Sequence, residues 1–365
     1  MPSKSTPEVA LVHDYLTQRG GAERVVVDLA AAFPKAPLFT SLFEPTSTFP
    51  EFQQLDITSS PLNRLSLLRR HHRLALALYA PLFSRMTVDA DVAICSSSGW
   101  AHGVNVTGAK IVYCHAPARW LYQRDRYLQE SGVAQRTALA ALAPLLKRWD
   151  QKAAHSADAY VVNSTATKEM VREAYGIDAT IVHPPLSLDV NGEQRAPRDI
   201  EPGFLLVVAR LLSYKNVHLT LAAAQQTGHE VVVVGDGPLR NDLERFASPQ
   251  VHFLGTVDDA ILRWCYANCV AHVAMSYEDY GLSPIEAAAF GKPTLALGAG
   301  GYLDTVRNGE TGLHVDAATV EALVCALHEF SKINFSSPQI LSHAGAFSKE
   351  RFARQMHEQV AAVLA

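Results

Sequence analysis

Two hydrophobic patterns alternate along the chain. Short continuous runs of apolar, mostly β-branched residues are separated by longer stretches in which apolar residues recur at helical spacing. Continuous apolar runs of about four to six residues predict parallel strands that helices cover on both faces. In chain order the runs are "EVALVHDYL", "DVAICSSS", "KIVYCHA", "AYVVNSTA", "ATIVHPP", "FLLVVAR", "EVVVVGDG", "VHFLG", "AHVAMS" and "PTLALGA". The predicted fold class is therefore α/β, with a doubly wound parallel sheet that occurs twice.

A polar stretch between the two sets of runs predicts a domain boundary. Residues 186–203 are rich in Pro, Gly and charge, which is the composition of a linker. A chain of 365 residues that is 48% hydrophobic can bury two cores of ordinary size. We predict a first domain at 1–187, a linker at 188–202, a second domain at 203–342 and a C-terminal helix at 343–365 that can cross back to the first domain.

Charge is distributed unevenly between the predicted domains. The net charge of the whole chain is -4, which gives no general attraction to nucleic acid. Residues 1–187 contain 19 Lys and Arg against 16 Asp and Glu, a net charge of +3, whereas residues 188–365 contain 13 against 20, a net charge of -7. A basic first half and an acidic second half indicate different partners for the two domains.

The cysteines and the apolar runs also bear on the cellular compartment. The five cysteines are scattered among apolar residues, which indicates reduced thiols in the core of a cytoplasmic protein. Cys265 and Cys269 lie one helical turn apart, but no second pair or nearby histidine completes a metal site, so we interpret both as core residues. The N-terminal residues lack the layout of a secretory signal, and no apolar run reaches the roughly 18 residues that span a bilayer. The sequence therefore predicts a soluble or peripheral protein.

Glycines follow two of the predicted strands. Gly20 and Gly21 in "TQRGGAERVVV" open an amphipathic helix, where free amides and the helix dipole favour a phosphate, although such a pair is also typical of a plain tight turn. Gly235 and Gly237 flank Asp236 in a turn that either approaches a ligand or only reverses the chain.

Two cations follow the strand "FLLVVAR". Arg210 ends this strand, and Lys215 comes five residues later, at the start of the next helix. Arg offers a planar fork and Lys a point charge, so together they form a plausible clamp for a diphosphate. A solvated Arg and Lys would give the same sequence, and both interpretations stay open at this point.

The stretch "SYEDYGLSPIEAAAFGKPT" places two glutamates, Glu278 and Glu286, on either side of a predicted helix start. Ser283 and Glu286 have the spacing of a capping box, with Pro at the first helical position, so Glu286 is explained by capping alone. That explanation omits Glu278 and the amides of Gly281, Leu282 and Ser283. A diphosphate on those amides would have a carboxylate on each side for sugar hydroxyls, which is the order of parts in a nucleotide sugar.

This stretch resembles the signature of the retaining glycosyltransferases of family four, and the resemblance extends over nearly the whole chain. The matching stretches, in the order that the family shows, are "LVHDYLTQRGGAERVV", "YCHAPARWLY", "VVNSTATKEMVREAYG", "VVARLLSYKN", "VVGDGPLR", "FLGTVDD" and "EDYGLSPIEAAAFGKPTLALGAGGYLDTV". The resemblance implies the GT-B fold, in which two Rossmann-like domains face a central cleft. The second domain would bind the nucleotide sugar and the first the acceptor.

Within this resemblance, residues of the second domain match the family's donor site. Arg210 and Lys215 match the basic pair that holds the donor diphosphate and stabilises the departing charge. Glu278 matches the glutamate that faces the transferred sugar, and Glu286 matches the one that faces the ribose. The turn whose amides meet the phosphates is matched by Gly281, Leu282 and Ser283.

Four further positions are matched. Gly21 matches the first-domain glycine beside the diphosphate, and Gly235 lies in the matched turn of the donor site. His115 matches a histidine that lines the sugar pocket from the first domain, whereas a lone histidine is more often a satisfied core residue. Val257 lies where the family's backbone meets the nucleobase.

The resemblance implies transfer with retention at the anomeric carbon. Fixed cations and helix amides would stabilise the charge that builds on the diphosphate, and the outgoing phosphate would take the acceptor's proton. We expect no cofactor and no metal, because protein cations replace one. Asp89–Asp91, "DAD", imitates the metal motif of another glycosyltransferase fold but directly precedes a predicted strand, so we interpret it as a turn.

The variants "VHDYLTQRGGAERVV" and "YCHAPARW" look most like bacterial polysaccharide mannosyltransferases that use GDP-mannose. The alternative is an enzyme of the same fold that uses UDP-glucose or another UDP-sugar. A GT-B sugar-nucleotide epimerase would need acid–base carboxylates that the sequence does not place. A non-catalytic sugar-binding subunit is disfavoured by the complete set of Arg210, Lys215, Glu278 and Glu286.

Residues 57–88 of the first domain contain five Arg, two His and no acidic residue, interleaved with leucines at helical spacing. This composition suits a helix on an anionic membrane surface, such as the inner face of the cytoplasmic membrane, and would fit a lipid-linked acceptor. An ordinary basic surface helix whose leucines face the core is the alternative, and both interpretations stay open.

Overall fold

The structure, a computed structural model, describes residues 7–123 and 133–365, so the polar N-terminal stretch 1–6 lies outside it. The chain divides into two units. We call Met1–Pro185 with Lys349–Ala365 the front unit and Leu186–Ser348 the rear unit. Each unit contains a parallel sheet flanked by helices, which confirms the predicted α/β class with two Rossmann-like sheets.

The front unit is built on a seven-stranded sheet. The strands described in this unit are β1 Val9–His13, β2 Leu38–Thr40, β3 Ile57–Ser59, β4 Thr87–Val88, β5 Val92–Ser97, β6 Asn105–Val106, β7 Ala109–Cys114, β8 Ala159–Val162 and β9 Thr180–Ile181. The order in the sheet is β3-β2-β1-β5-β7-β8-β9, with all neighbours parallel, and β4 pairs separately with β6.

Helices of the front unit connect these strands. Those described are α1 Gly21–Ala32, α2 Ser66–Arg70, α3 Leu76–Arg85, α4 Arg119–Tyr122, α5 Val133–Ala154 and α6 Thr165–Tyr175, with short 3-10 segments at Pro50–Gln54, Pro61–Arg64, His72–Ala75 and Ala101–Gly103. Helix α6 shows how local sequence sets the bounds. The Ser164 hydroxyl accepts a hydrogen bond from the Thr167 amide at 3.0 Å, and the helix ends at Gly176 with φ 70°.

The rear unit repeats the arrangement with six strands. They are β10 Leu205–Val208, β11 Val231–Val234, β12 Val251–Gly255, β13 Ala271–Ala274, β14 Thr294–Leu297 and β15 Gly312–Val315, in the parallel order β12-β11-β10-β13-β14-β15. The helices are α7 Val217–Thr227, α8 Arg240–Phe246, α9 Asp259–Asn268, α10 Leu282–Ala289, α11 Tyr302–Thr305, α12 Val320–Phe330 and α13 Ser337–Ala344, with 3-10 turns at Ser213–Lys215 and Gly345–Phe347.

Each sheet has one point where the strand order reverses. In the front sheet this switch point lies between β1 and β5, and in the rear sheet between β10 and β13. At such a point the loops that leave the carboxyl ends of the two strands run in opposite directions and open a crevice. The two switch points are therefore the places where the fold itself favours a ligand.

The segment predicted as a linker, 188–202, belongs to the rear unit. Leu188 and Ile200 are 8% and 7% exposed and pack in one core cluster with Phe204 and Leu206. Two buried apolar anchors thus hold this segment, although the composition around them is polar. The unit also extends past the predicted end at 342, through Ser348.

The last helix, α14 Lys349–Val363, packs on the front unit. Its buried residues Phe352, Met356 and Val360 recur at helical spacing and join the core cluster of β1 and α1. The Phe352 ring lies 6.0 Å from that of Tyr113 on β7. The chain thus leaves the front unit after Pro185 and returns to it at Lys349.

The acidic stretch Asp89–Asp91 forms a turn that leads into β5, as predicted. The Asp91 carboxylate accepts a hydrogen bond from the Glu8 amide, and Asp89 accepts one from the Thr107 hydroxyl, both at 2.8 Å. These carboxylates hold the ends of neighbouring strands. Within the described ranges no helix has the length and apolarity needed to cross a bilayer.

Candidate active site

An ion pair lies at the switch point of the rear sheet. Lys215 ends the 3-10 turn after β10, and Glu278 follows β13. Because β10 and β13 are neighbours, the Lys215 Nζ comes within 2.5 Å of Glu278 Oε1. The two side chains are 19% and 20% exposed, so the pair is shielded from bulk water but open to a ligand.

The loop that carries Lys215 is fixed to β13. Asn216, which precedes α7, has φ 54°, a left-handed conformation that Asn tolerates better than most residues. Its side-chain amide donates a hydrogen bond to the Met275 carbonyl at 3.0 Å. The lysine is therefore held by its neighbour as well as by Glu278.

Two glycines allow a second loop to approach the backbone of Glu278. The Gly301 amide donates to the Glu278 carbonyl at 2.8 Å. A Cβ on Gly300 would lie 2.3 Å from that carbonyl oxygen, and one on Gly301 would lie 2.2 Å from the Tyr280 Cα. Side chains are excluded by this close packing, which fixes the position of the glutamate.

Helix α10 begins beside this ion pair. Gly281 precedes it at φ 95°, and a Cβ there would lie 2.5 Å from the Tyr302 ring. The predicted capping box is wrong, because Ser283 and Pro284 are already the second and third helical residues and no side chain caps the helix. Pro284 is tolerated because an amide in the first turn has no intrahelical acceptor. The amides of Leu282 and Ser283 lie in that turn, where the helix dipole favours an anion.

Glu286 is held by a buried tyrosine. The Tyr266 hydroxyl, on α9, donates to Glu286 Oε2 at 2.7 Å. The Tyr266 side chain is fully buried, and its ring stacks on Phe290 with centroids 5.8 Å apart. Burial raises the pKa of Tyr266 well above its ordinary value, so the hydroxyl keeps its proton and remains a donor. One glutamate oxygen is thereby engaged by the protein.

The remaining predicted residues of the rear unit lie at the same edge of the sheet. Arg210 is exposed just beyond β10 and is not part of the Lys215–Glu278 pair. Gly235 follows β11 at φ 128°, where a Cβ would lie 2.0 Å from the Ala209 carbonyl oxygen. Val257 follows β12, half-buried against the core cluster.

In the front unit, Gly20 and Gly21 form the start of α1. Glu23 is 1% exposed and folds back under this start, with Gln18 Nε2 donating to its Oε1 at 3.0 Å. A Cβ on Gly20 would lie 2.4 Å from the other carboxylate oxygen. Burial raises the pKa of Glu23 from 4.5 to about 7. A carboxyl group that is only partly ionised at neutral pH therefore supports the glycine turn.

His115 directly follows β7 and is 8% exposed. Its Nε2 lies 2.8 Å from the Ser96 hydroxyl, and its backbone carbonyl accepts a hydrogen bond from the Asn163 side chain at 3.2 Å. Burial lowers the pKa of His115 to about 3, so the ring is neutral at physiological pH. The His13 ring lies edge-on to it, with centroids 6.4 Å apart.

Asp14 orders the loop that follows β5. Its carboxylate accepts hydrogen bonds from the Ser98 amide at 2.8 Å and the Ala101 amide at 2.6 Å. The network continues through Ser97, whose hydroxyl lies 2.9 Å from His102 Nδ1. Burial raises the pKa of Asp14 to about 6. This carboxylate is engaged by the backbone and shapes the edge of the front site.

Several polar residues at these edges were not predicted from the sequence. They are His13, Asp14, Glu23, Ser96, Tyr266 and Tyr302. For the first two and Ser96 a signal was present, since polar residues end the apolar runs "VALVHD" and "DVAICSSS" at the carboxyl end of a strand. The tyrosines gave no such signal, because their partners are distant in sequence.

Two known protein families match this chain, one after the other along the sequence. Residues 19–190 match the family described as Glycosyltransferase Family 4, and residues 192–346 match Glycosyl transferases group 1. Together the two family profiles cover both units except for the chain ends and the last helix.

Two curated relatives and one solved structure are informative. D-rhamnosyltransferase WbpZ of Pseudomonas aeruginosa is 34% identical over 50% of this chain and 51% of its own length, so the chain matches about half of that relative. Alpha-1,3/1,6-mannosyltransferase ALG2 of Kluyveromyces lactis is 25% identical over 85% of this chain and 73% of its own. The crystal structure of Anabaena Alr3699/HepE in complex with UDP-glucose superposes with a TM-score of 0.69 and 17% identity, covering 98% of this chain and 100% of that one.

The two profile matches, the glycosyltransferase relatives and the structural likeness over nearly the whole chain bear out the resemblance seen in the sequence. The chain belongs to glycosyltransferase family 4 and has the GT-B fold.

Proposed function

We propose that this glycosyltransferase is a retaining hexosyltransferase that moves mannose from GDP-mannose to a lipid-linked or oligosaccharide acceptor in bacterial surface polysaccharide synthesis. The observation that carries the proposal is the Lys215–Glu278 pair at the rear switch point, 2.5 Å apart and about one fifth exposed. A fixed cation and a fixed carboxylate at one crevice suit a ligand with an anionic and a hydroxyl-rich part.

The chemistry of the proposed reaction follows from these groups. When the sugar–phosphate bond breaks, negative charge grows on the diphosphate, and Lys215, the exposed Arg210 and the first-turn amides of α10 would stabilise it. An ammonium group has three N–H donors, so Lys215 can keep Glu278 while it binds a phosphate oxygen. The outgoing phosphate would take the acceptor's proton on the same face of the sugar.

The carboxylates have different proposed tasks. Glu278 accepts hydrogen bonds from hydroxyls of the transferred sugar, and Glu286, which the Tyr266 hydroxyl holds in place, accepts them from the ribose. Backbone near Val257 meets the base, and the turn of Gly235 contributes to the donor site. We propose no resident metal and no cofactor, because cations of the protein meet the diphosphate.

The front unit is proposed to carry recognition groups of its own: the turn at Gly21 for a phosphate of the donor and His115 for a hydroxyl of the transferred sugar. A neutral imidazole can donate one hydrogen bond and accept another but adds no charge near the oxocarbenium-like sugar. This suits a group that recognises hydroxyls.

The nucleotide base is the least constrained part of the proposal. The mannosyltransferase relative favours mannose, whereas the complex of the HepE structure with UDP-glucose makes a UDP-sugar the second candidate. Isothermal titration of the purified chain with GDP and with UDP separates the two. Tighter binding of GDP supports GDP-mannose as donor, and tighter binding of UDP overturns it.

Transfer itself is tested with GDP-mannose and a bacterial lipid extract, followed by mass spectrometry of the extract and NMR of the new anomeric centre. Retention of the α configuration is expected, and an inverted product would contradict the mechanism. Donor alone should stay unchanged, since an epimerised sugar in the absence of acceptor would indicate an epimerase instead.

We propose that the front unit contacts a membrane, where it would meet a lipid-linked acceptor. Around α2 and α3, Leu65, Leu67, Leu74 and Leu78 are 55%, 60%, 61% and 44% exposed, whereas Tyr79 on the other face is buried. Exposed arginines such as Arg64, Arg70 and Arg85 surround them. Exposed leucines among cations fit the surface of an anionic bilayer, at the inner face of the cytoplasmic membrane, better than an ordinary basic surface helix whose leucines all face the core.

A further inference from the structure

Three buried polar side chains lie side by side across the front sheet. His13 ends β1, Ser96 is on β5, and His115 follows β7, so the three occupy neighbouring strands at the switch point. They are 2%, 2% and 8% exposed. Buried groups of this kind must satisfy one another, because water is not available to do so.

The hydrogen-bond partners of His13 decide where its proton lies. His13 Nδ1 is 3.1 Å from the Ser96 backbone carbonyl oxygen and 3.0 Å from the Ser96 hydroxyl. A carbonyl oxygen can only accept, so the proton of His13 must be on Nδ1. That N–H also points to the hydroxyl oxygen, which then acts as an acceptor toward His13.

The Ser96 hydroxyl in turn determines which nitrogen of His115 carries the proton. Its single proton is free to donate, because its contact with His13 is made as an acceptor. His115 Nε2 lies 2.8 Å away and accepts the hydrogen bond that the Ser96 hydroxyl donates. Burial lowers the pKa of His13 to about 4 and that of His115 to about 3, which excludes doubly protonated rings at neutral pH. A neutral His115 with a bare Nε2 carries its proton on Nδ1.

We propose that Ser96 and His13 are positioning residues that hold His115 as its Nδ1–H tautomer, so that His115 offers a hydrogen-bond donor to an oxygen of the transferred sugar and does not act as a base. The proposal rests on the proposed function, in which His115 lines the sugar pocket. Ser96 engages Nε2, which makes Nδ1 the ring nitrogen that is left for a ligand. A fixed tautomer aligns this donor before the sugar arrives, so no proton has to move during binding.

The tautomer is read directly by NMR of the full chain labelled with 15N-histidine. Two-bond 1H–15N correlations distinguish an Nδ1–H ring from an Nε2–H ring, and the His115→Gln variant identifies the His115 signals by their loss. We expect a protonated Nδ1 and a bare Nε2 at pH 7. An Nε2–H ring at His115 would overturn the proposal. Ser96→Ala should shift His115 toward a mixture of tautomers, whereas unchanged signals would contradict a role for Ser96.

Kinetics test whether the fixed tautomer matters for transfer. We expect Ser96→Ala to lower kcat about fivefold, the effect of one hydrogen bond, with less change in KM, and Ser96→Thr to restore most of it. Ser98→Ala is the matched control, since Ser98 contacts Asp14 through its backbone amide. Wild-type kcat in Ser96→Ala would overturn the proposal. If the wild-type chain transfers no sugar from any nucleotide donor, the proposed function fails, while the NMR spectra still decide the tautomer.

Discussion

At the switch point of the rear sheet, Lys215 and Glu278 form an ion pair with about one fifth of each side chain exposed. At the corresponding point of the front sheet, His13, Ser96 and His115 are buried and neutral. The same topological position thus carries opposite chemistry in the two units. A crevice lined by charged groups suits an ionic ligand, whereas one lined by neutral donors and acceptors suits a polyol.

The contrast also shows that net charge is a poor guide to the ligand of a domain. Residues 188–365 carry a formal charge of -7, yet they contain the groups proposed to bind a diphosphate. In the proposed site, attraction for a diphosphate would come from the Lys215 ammonium and the first-turn amides of α10, and charges farther away than about one Debye length are largely screened.

We expect the largest effect on turnover from a change at the charged switch point of the rear sheet. Lys215→Ala should lower kcat by on the order of a hundredfold, because it removes the charge that stabilises the leaving diphosphate. Lys332→Ala, an exposed lysine of the same unit, is the matched control. Turnover is measured with GDP-mannose and the bacterial lipid extract. Near-normal turnover of Lys215→Ala would show that Lys215 does not clamp the donor diphosphate.

The second prediction extends the comparison to the outer surfaces of the two units. Leu74→Ser combined with Leu78→Ser should weaken binding to vesicles of anionic lipid roughly tenfold, because half-exposed leucines lose the gain from entering the bilayer. Sedimentation with vesicles measures this. Leu341→Ser, at a rear-unit leucine that is 46% exposed, is the control and should leave binding unchanged. If Leu341→Ser weakened vesicle binding as much as the double variant does, the membrane contact would not be specific to the front unit.

A smaller effect on donor binding is expected from Tyr266, which holds Glu286 in the rear unit. Tyr266→Phe removes the hydrogen bond to Glu286 while the stacked ring is kept, and it should weaken GDP binding about fivefold. Titration with 2′,3′-dideoxy-GDP is the control, since a ligand without ribose hydroxyls should bind both variants alike. If both ligands lost affinity equally, Tyr266 would support the fold of the site and not its contact with ribose.

The smallest expected effect concerns the pH dependence of stability. The pKa of Glu23 is raised to about 7 in the folded chain, above its ordinary 4.5, so its contribution to stability is present below pH 4.5 and is lost as the pH rises through 7. Glu23→Gln should therefore gain a few degrees in unfolding temperature, relative to wild type, on going from pH 5 to pH 8. Scanning calorimetry at both pH values measures this shift.

A buried histidine of the rear unit should have the opposite dependence of stability on pH. The pKa of the buried His272 is lowered to about 3, so its contribution is present above pH 6.5 and is lost as the pH falls toward 3. Glu23→Gln should leave this acid-side loss unchanged. If the difference in unfolding temperature between Glu23→Gln and wild type were the same at pH 5 and pH 8, the Glu23 carboxyl would be ionised over this whole pH range.

Much of the fold could be predicted from continuous apolar runs, because buried parallel strands require them. The strands that were not predicted, β2, β3, β4, β6 and β15, are short or lie at sheet edges, and their sequences do not stand out from loops. Composition likewise gave no sign of the two buried anchors within the segment predicted as a linker, 188–202. Composition averages over a segment, whereas Leu188 and Ile200 fix it by two buried side chains.

The candidate site was predictable where one loop carries the chemistry. Glu278 and the start of α10 lie in one short stretch, and the structure brings Lys215 to it because β10 and β13 are neighbours. The cap of α10 was misplaced because Gly281, at φ 95°, starts the helix ahead of Ser283. The contact of Tyr266 with Glu286 and the hydrogen bonds that join His13, Ser96 and His115 could not be predicted, since sequence spacing contains no information about which elements become neighbours.

Helix α14 has a consequence for biosynthesis. Phe352, Met356 and Val360 fill the core around α1, although some three hundred residues separate the two helices. During translation the front unit emerges first, yet its apolar face at Leu29 and Phe33 stays uncovered until α14 has left the ribosome. The rear unit, contiguous in sequence, can finish folding earlier, so the front unit begins to emerge first but is completed last.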